Sequence, residues 1–380
     1  MTFDPGTRDD GERPHGTRLT QAAAAAGDDR NYPLNCWYVA ATSDEVGQAI
    51  IGRRLLDLGV AMYRTRTGEV VAFEDRCPHR AFPLSTGRLD GDHVVCGYHG
   101  FSFDPSGRCV AVPSQEHVPY GARLHMLPVQ ERPPYVWVWL GEPARSVLRA
   151  PEDVAWLDDR AWTVCGGVID VTANYLLLHE NFADVTHVPF VHPEVSPRAL
   201  QTAAPALEIE LAETAVWYSR NYPAAPLAEW QSSTTGLPEG EYEQRESGTF
   251  VSPALWVDAW EVFEPDPLSG APRSYAIRFA QAVTPVSPTA SRLIWRLGRN
   301  FATDVGWVTA SLQTLFAEYY GRVASLTEEV QYTIDLGGRW AEFNVSADAA
   351  ALQVRRIVTG MLEEEGVEVG RPLRSPGAAR

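Results

Sequence analysis

The chain has 380 residues, enough for two domains, and its 45% hydrophobic and 21% charged residues are typical of a globular protein. Its net charge of −17 at pH 7 argues against nucleic-acid binding, which requires a basic surface. No apolar run approaches the roughly 18 residues of a membrane span, and the five cysteines have no disulfide-framework spacing, so we expect a cytoplasmic protein.

The first structured region extends over residues 31–145 and consists of short β-type runs separated by turn residues such as Asp90-Gly91. This pattern predicts a small all-β domain. The two ends of the chain, 1–30 and 369–380, are expected to be tails without stable structure, because the first is rich in Gly, Asp, Arg and Thr. The N-terminal residues also lack the basic start and apolar core of a signal peptide.

Residues 146–368 follow a proline-rich stretch and form the second predicted domain. It opens with a helical segment over 174–187 and continues with alternating strands. Two helices close it, from about 305 to 334 and from 346 to 366. Strands followed by long helices indicate an α+β domain with an antiparallel sheet.

Two turn-rich loops in the first domain each combine one cysteine with one histidine: Cys77 with His79, and Cys96 with His99. Chance could produce this pattern, and a structural zinc site could use the same ligands. Zinc fingers usually separate cysteines from histidines, however, whereas a Rieske [2Fe–2S] cluster takes two of each. The mixed order favours the cluster. The other cysteines have no such partners, and we expect them to be core thiols: Cys36, Cys109 and Cys165.

The second domain contains HENFADVTHVPFVHPE, residues 179–194. If the segment is helical, Asn181, Asp184 and His187 share one face. Pro189 then ends the helix, and His192 on the following turn can fold back towards His187. The two imidazoles could occupy adjacent positions on one metal ion, although isolated histidines are more often ordinary core or surface residues.

These two motifs resemble those of the Rieske oxygenases. CPHR at 77–80 and CGYHG at 96–100 look like the cluster motif of ring-hydroxylating oxygenases, and residues 181–192 look like their Asn-x2-Asp-x2-His-x4-His motif, in the vanillate demethylase and dicamba monooxygenase-like branch. The resemblance extends over about 34–364. It implies an α+β protein, with an all-β Rieske domain followed by a helix-grip catalytic domain.

The resemblance also implies the ligands of both metal groups. Cys77 and Cys96 would bind one iron of the cluster, and His79 and His99 the other. The mononuclear Fe(II) would take two histidines and one carboxylate, which are listed here: His187, His192 and Glu329, with Glu328 and Asp335 as alternatives to Glu329. The family has aspartate at the third position, so glutamate is a departure. A solvated acidic helix face is the structural alternative for these carboxylates.

The family further implies a role for the remaining motif residues and a set of partners. Asn181 and Asp184 would belong to the catalytic machinery, with Asp184 joining His187 to a cluster histidine of the next subunit in a homotrimer. Electrons would come from NAD(P)H through a separate ferredoxin or flavin reductase, because the chain has no dinucleotide-binding fingerprint.

The predicted activity is therefore O2-dependent hydroxylation or O-demethylation of an aromatic or other apolar small molecule, a class that includes intermediates of natural-product tailoring. Two other classes remain as alternatives. A ligand-binding protein on the same helix-grip fold would need a broken iron site, and a pure electron carrier would leave the second domain unexplained.

Overall fold

The computed structural model describes residues 30–201, 205–265, 270–337 and 342–367. The tails expected at both ends therefore lie outside the described residues, except for Arg30. None of the helices in the described ranges has the length and apolar character needed to cross a bilayer.

The first part of the chain forms three small antiparallel sheets, with strand orders β1-β10-β9, β2-β3-β4 and β5-β6-β7-β8. Glycines with positive φ make the predicted hairpin turns, among them Gly91 at 63° between β5 and β6. The all-β prediction is confirmed. The strands are β1 (Trp37–Thr42), β2 (Ile51–Leu55), β3 (Leu58–Arg64), β4 (Val70–Glu74), β5 (Arg88–Asp90), β6 (His93–Val95), β7 (Ser102–Phe103), β8 (Cys109–Ala111), β9 (Val129–Arg132) and β10 (Tyr135–Trp139).

The second part is built on one seven-stranded antiparallel sheet of order β11-β17-β16-β15-β14-β13-β12. Side chains alternate between its faces, and on β14 every second residue from Tyr242 to Ser252 is buried. The face that carries these residues is called the inner face below. The strands are β11 (Thr163–Val171), β12 (Glu208–Leu211), β13 (Val216–Pro226), β14 (Glu241–Ser252), β15 (Leu255–Glu264), β16 (Arg273–Ser287) and β17 (Ala290–Arg299).

Helices accompany this sheet, as expected for an α+β domain. The longest, α4, turns a buried stripe that includes Leu312, Phe316 and Tyr320 towards the sheet, and the Tyr320 ring stacks on Trp295 of β17 with centroids 4.8 Å apart. Burial of this stripe, rather than helix propensity, stabilises such a helix. The helices are α1 (Tyr175–Ala183), α2 (Val188–Val191), α3 (Glu229–Thr235), α4 (Gly306–Asp335) and α5 (Ala349–Glu364).

The two parts share one hydrophobic core and direct hydrogen bonds. Thr284 on β16 donates its hydroxyl hydrogen to the carbonyl of Val39 on β1 over 2.7 Å. Just after α5, the Glu365 carboxylate accepts the backbone N–H groups of Leu34 and Asn35. The position of the first part relative to the seven-stranded sheet is therefore fixed by buried contacts.

Candidate metal centres

The two Cys/His loops fold into turns of the same geometry. The Cys77 carbonyl accepts the N–H of Ala81 at 2.8 Å, and the Cys96 carbonyl accepts the N–H of Gly100 at 3.1 Å. The last residue of each turn, which donates the N–H, has a positive φ, 56° at Ala81 and 70° at Gly100. This conformation costs a non-glycine residue free energy, so Ala81 is held in it by the surrounding turn. Two matched turns present two matched pairs of ligands.

The four side chains meet as two pairs, histidine with histidine and cysteine with cysteine. The His79 and His99 ring centroids are 4.7 Å apart, and the Cys77 and Cys96 thiols lie within hydrogen-bond reach of each other. Both cysteines are buried, whereas both histidines are exposed. Burial raises the pKa of Cys77, so a thiolate there needs a cation to stabilise it. The residues therefore fit a group that contains two metals, with the buried thiolates on one metal and the exposed imidazoles on the other.

The remaining cysteines do not belong to the two turns, although Cys109 lies in the same apolar cluster as Cys77 and Cys96, and Cys165 is partly buried rather than a core thiol. Cys36 and Cys109 are buried in the core, and all five cysteines are free thiols. Burial raises the pKa of Cys165 to about 11, which keeps this thiol protonated. None of these three thiols takes part in the paired turns.

The second candidate centre does not sit on the continuous helix predicted over 174–187. Helix α1 ends at Ala183, because Asp184 is extended (φ −131°, ψ 103°) and its side chain accepts the N–H of Thr186 as the cap of a new 3₁₀ turn. Pro189 does not end a helix either. It lies in the first turn of α2, where its missing N–H costs nothing. Both expectations were wrong, and the kink, rather than one helix face, brings the motif together.

The kink orients His187. Its Nδ1 lies 2.6 Å from the Asp184 carbonyl oxygen, and a carbonyl can only accept, so Nδ1 carries the hydrogen and Nε2 keeps a lone pair. The Asn181 amide nitrogen lies 3.3 Å from that Nε2. The Asp184 carboxylate bonds instead to the backbone N–H and hydroxyl of Thr186. The backbone of Asp184, not its carboxylate, positions the imidazole.

His192 is fully buried, and neither of its ring nitrogens has a hydrogen-bond partner among the described residues. Burial lowers its pKa from 6.5 to about 4, with His187 adding to the effect, so the ring is neutral at pH 7. A neutral, buried, unpartnered imidazole is the form that ligates a metal. The two ring centroids of His187 and His192 are 5.5 Å apart, so the pair fits two ligands of one ion.

The structure does not bring a third ligand to the pair. Across the described ranges, no three His, Cys, Asp or Glu side chains are grouped closely enough to hold a metal ion. Glu329 is exposed on α4. Glu328 accepts the backbone N–H of Thr172 at 2.8 Å, and Asp335 accepts the side-chain amide of Gln331 at 2.9 Å. The assignment of Glu329 stays a prediction, and both alternatives are occupied elsewhere.

Sequence reasoning missed two contributors to this centre. Tyr319 of α4 packs on His192, with ring centroids 4.5 Å apart. Arg355 of α5 pairs with Glu180 and with Glu342 beside the kink. Both contacts join residues far apart in the chain, and neither has a local sequence signal.

A cavity of about 290 Å³ opens beside His187. Its lining includes polar residues of the motif, Arg355 with its two carboxylate partners, and one apolar residue of α4. These residues are Glu180, Asn181, Asp184, His187, Leu326, Glu342 and Arg355. The candidate iron site is thus reached from the surface on the side where Asp184 lies.

Comparison with known proteins matches both parts of the chain to families. Residues 36–125 match the Rieske [2Fe-2S] domain, and residues 171–364 match the vanillate O-demethylase oxygenase C-terminal domain. The second match alone covers half of the chain.

Individual relatives agree with these matches. The iron-sulfur subunit TsaM1 of the toluene-4-sulfonate monooxygenase system of Comamonas testosteroni is 45% identical over 160 residues, 42% of this chain and 46% of that protein, so the match spans about half the relative's length. The vanillate O-demethylase oxygenase subunit of Pseudomonas sp. (strain HR199) is 25% identical over 90% of this chain and 99% of its own. The crystal structure of dicamba monooxygenase bound to dicamba superposes with a TM-score of 0.79 at 27% identity, over 88% of this chain and 99% of that one.

Proposed function

Because the chain belongs to the Rieske oxygenases whose catalytic domain is of the vanillate O-demethylase type, we propose that it is the oxygenase component of a multicomponent monooxygenase. One observation supports this most: the same chain holds paired Cys/His turns and, separately, a buried histidine whose two ring nitrogens have no partner in the described part of the chain. An electron carrier would need only the first site. A ligand-binding protein that had lost its iron chemistry would not keep the second.

The residues divide the work between two sites. Cys77, His79, Cys96 and His99 hold the [2Fe–2S] cluster, and His187 and His192 hold mononuclear Fe(II). When bound, the cluster supplies single electrons and the Fe(II) supplies a site for reductive O2 activation. The protein keeps both iron-binding imidazoles neutral and fixes His187 through the Asp184 carbonyl. The Asn181 amide nitrogen lies 3.3 Å from the same Nε2 and would have to release it when iron binds.

Glu329 is the carboxylate that we propose to complete the iron site. It follows Leu326 by one helical turn on α4, and Leu326 lines the cavity together with His187. Its exposure leaves the side chain free to turn. Glu328 and Asp335 are weaker candidates because each already accepts a hydrogen bond, Glu328 from the Thr172 backbone and Asp335 from Gln331 on the same helix.

We propose that three copies assemble head to tail, so that the Asp184 carboxylate of one copy meets a cluster histidine, His79 or His99, of the next. Both histidines are exposed. Tyr98, stacked beside His99, is 59% exposed, and Phe343, on the rim of the Asp184 cavity, is 94% exposed. Two different apolar patches favour a heterologous contact, which closes a ring under threefold symmetry.

The proposed partners are a separate ferredoxin or flavin reductase that delivers electrons from NAD(P)H, O2, and a small aromatic or otherwise apolar substrate. We also propose a cytoplasmic location, because all five cysteines are free thiols and NAD(P)H is available there.

Substrate oxidation tests this function directly. The purified chain, with a reductase and NADH, is screened against methoxylated aromatic compounds while O2 uptake and formaldehyde release are measured together. O-demethylation predicts about equal amounts of both, whereas hydroxylation predicts uptake without formaldehyde. Cluster reduction without substrate-dependent uptake for any compound would instead indicate an electron carrier.

A further inference from the structure

The inner face of the sheet carries a buried polar pair that neither metal centre uses. Asp258 on β15 and Gln281 on β16 both lie on this face, since Asp258 pairs with Gly248 and Gln281 with Trp295 in the strand registers. Gln281 donates its amide hydrogens to the Asp258 carboxylate, at 3.3 Å, and to the Tyr320 hydroxyl, at 3.0 Å. The amide orientation is fixed by these acceptors.

Two oxygens of this pair are left without a donor. Asp258 Oδ1 and Gln281 Oε1 are both buried and have no hydrogen-bond partner within the described part of the chain, and Gln281 is only 2% exposed. The indole N–H of Trp256 lies near the same carboxyl without completing a hydrogen bond. Buried acceptors without donors are costly, so a donor from outside the protein would stabilise the site.

The pair borders α4, the helix that also reaches His192 through Tyr319. Asp258, Phe279 and Tyr319 are partly accessible although they lie between the sheet and α4, which means that packing there is incomplete. The Phe316 ring links Phe279, at 5.0 Å, to Tyr319, at 5.9 Å, and forms an aromatic wall. Tyr319 in turn packs on His192. A chain of aromatic contacts therefore leads from Phe279, the cross-strand partner of Asp258, to the candidate iron ligand.

The charge around the pair disfavours an anion. Burial and, to a smaller extent, the neighbouring Glu246 carboxylate raise the pKa of Asp258 to about 7, so this carboxyl is mostly ionised only above neutral pH. Two arginines lie on this face, Arg220 and Arg299. Arg220 places one nitrogen 3.1 Å from each oxygen of Glu246, and the two form a neutral ion pair. Arg299 donates from Nη2 to the Val305 carbonyl and the Thr309 hydroxyl. Within the described residues, Nε of Arg220 and Nε and Nη1 of Arg299 have no partner. A substrate carboxylate placed here would meet acceptors and negative charge.

We propose that Asp258 and Gln281 form the polar end of the substrate pocket, and that the substrate is an aromatic molecule that presents neutral or cationic hydrogen-bond donors to this end instead of a carboxylate. This inference rests on the proposed function, because it assigns the substrate class of that same site. It sets the chain apart from relatives named for vanillate and toluene-4-sulfonate, which are anions.

A matched pair of probes tests it. Vanillamide and vanillate share ring, hydroxyl and methoxyl groups and differ only in an amide or a carboxylate. Calorimetric titration of the holoenzyme at pH 8, where the Asp258 carboxyl is mostly ionised, should give a dissociation constant about tenfold or more lower for vanillamide, since like charges in a desolvated site are strongly unfavourable. In Asp258→Asn the preference should fall to about threefold or less, because the repelling charge is gone. The surface variant Asp170→Asn is the control and should keep the full preference.

The outcomes separate the two proposals. Equal or tighter binding of vanillate, no binding of vanillamide, or an unchanged preference in Asp258→Asn would overturn the inference. If that variant does not fold, Gln281→Met removes the second acceptor and should also reduce the preference. Binding requires no turnover, and iron content and O2 uptake of the same preparation report on the oxygenase function independently.

Discussion

His187 donates its Nδ1 hydrogen to the backbone carbonyl of Asp184 over 2.6 Å, and this bond leaves Nε2 with the free lone pair. A backbone acceptor cannot be removed by substitution of a side chain. The orientation of His187 therefore depends on the kink after Ala183, whereas the Asp184 carboxylate, held by Thr186, remains available for another role.

Loss of His192 should remove mononuclear iron and leave the cluster intact. The ring is buried and neither nitrogen has a partner among the described residues, so His192→Ala deletes a ligand without breaking a side-chain hydrogen bond within that part of the protein. We expect iron to fall from about three to about two atoms per chain and substrate oxidation to be lost. Elemental analysis and the visible spectrum of the cluster measure this. His117→Ala, an exposed histidine, should change neither, and three irons in His192→Ala would contradict the assignment.

Asp184→Asn should keep both metals but slow electron delivery. An asparagine oxygen can still accept the Thr186 N–H, and the carbonyl that holds His187 is unchanged. The lost negative charge is the one proposed to meet the neighbouring subunit's cluster histidine. Single-turnover mixing of the reduced protein with O2 and substrate reports the transfer rate, and Thr186→Val serves as a control that removes only the hydroxyl contact. Unimpaired transfer in Asp184→Asn would exclude the bridge.

Glu329→Ala should lower mononuclear iron, whereas Glu328→Ala should not. The second change removes an acceptor for the Thr172 N–H and should cost about 1 kcal/mol of stability. Iron content after dialysis against a weak chelator distinguishes the two variants. Full iron retention with activity in Glu329→Ala would show that the third ligand lies elsewhere.

Acid should destabilise the protein through His179, which is buried and bonded through Nε2 to the Pro253 carbonyl. Burial lowers its pKa from 6.5 to about 4. As the pH falls below 6.5, His179 binds a proton in the unfolded chain but not in the folded one. The free energy of unfolding that is present above pH 6.5 is therefore lost towards pH 4, by about 2 kcal/mol at pH 5. Urea unfolding at pH 7 and pH 5 measures the loss. His179→Gln should not show the part of the loss that comes from protonation of His179. An identical pH response of the two proteins would refute the prediction.

Much of the architecture could be predicted from local patterns. Alternating strands, glycine turns and the long helix at Gly306–Asp335 follow from side-chain periodicity, and the Cys/His loops carry their own spacing. The helix over 174–187 was mispredicted because Asp184 competes for the backbone as a cap, an effect that depends on Thr186 two residues later. The contact of Tyr319 with His192 and the pairing of Asp258 with Gln281 join distant segments, so tertiary packing alone determines them.

Iron stoichiometry combined with the EPR spectrum of the reduced protein tests the central claim most directly. We predict about three irons per chain, a Rieske-type signal after reduction, and loss of one iron without loss of that signal in His192→Ala. A colourless protein that contains zinc, or a protein with two irons whose content is unaffected by His192→Ala, would contradict the assignment of this chain as a two-centre oxygenase.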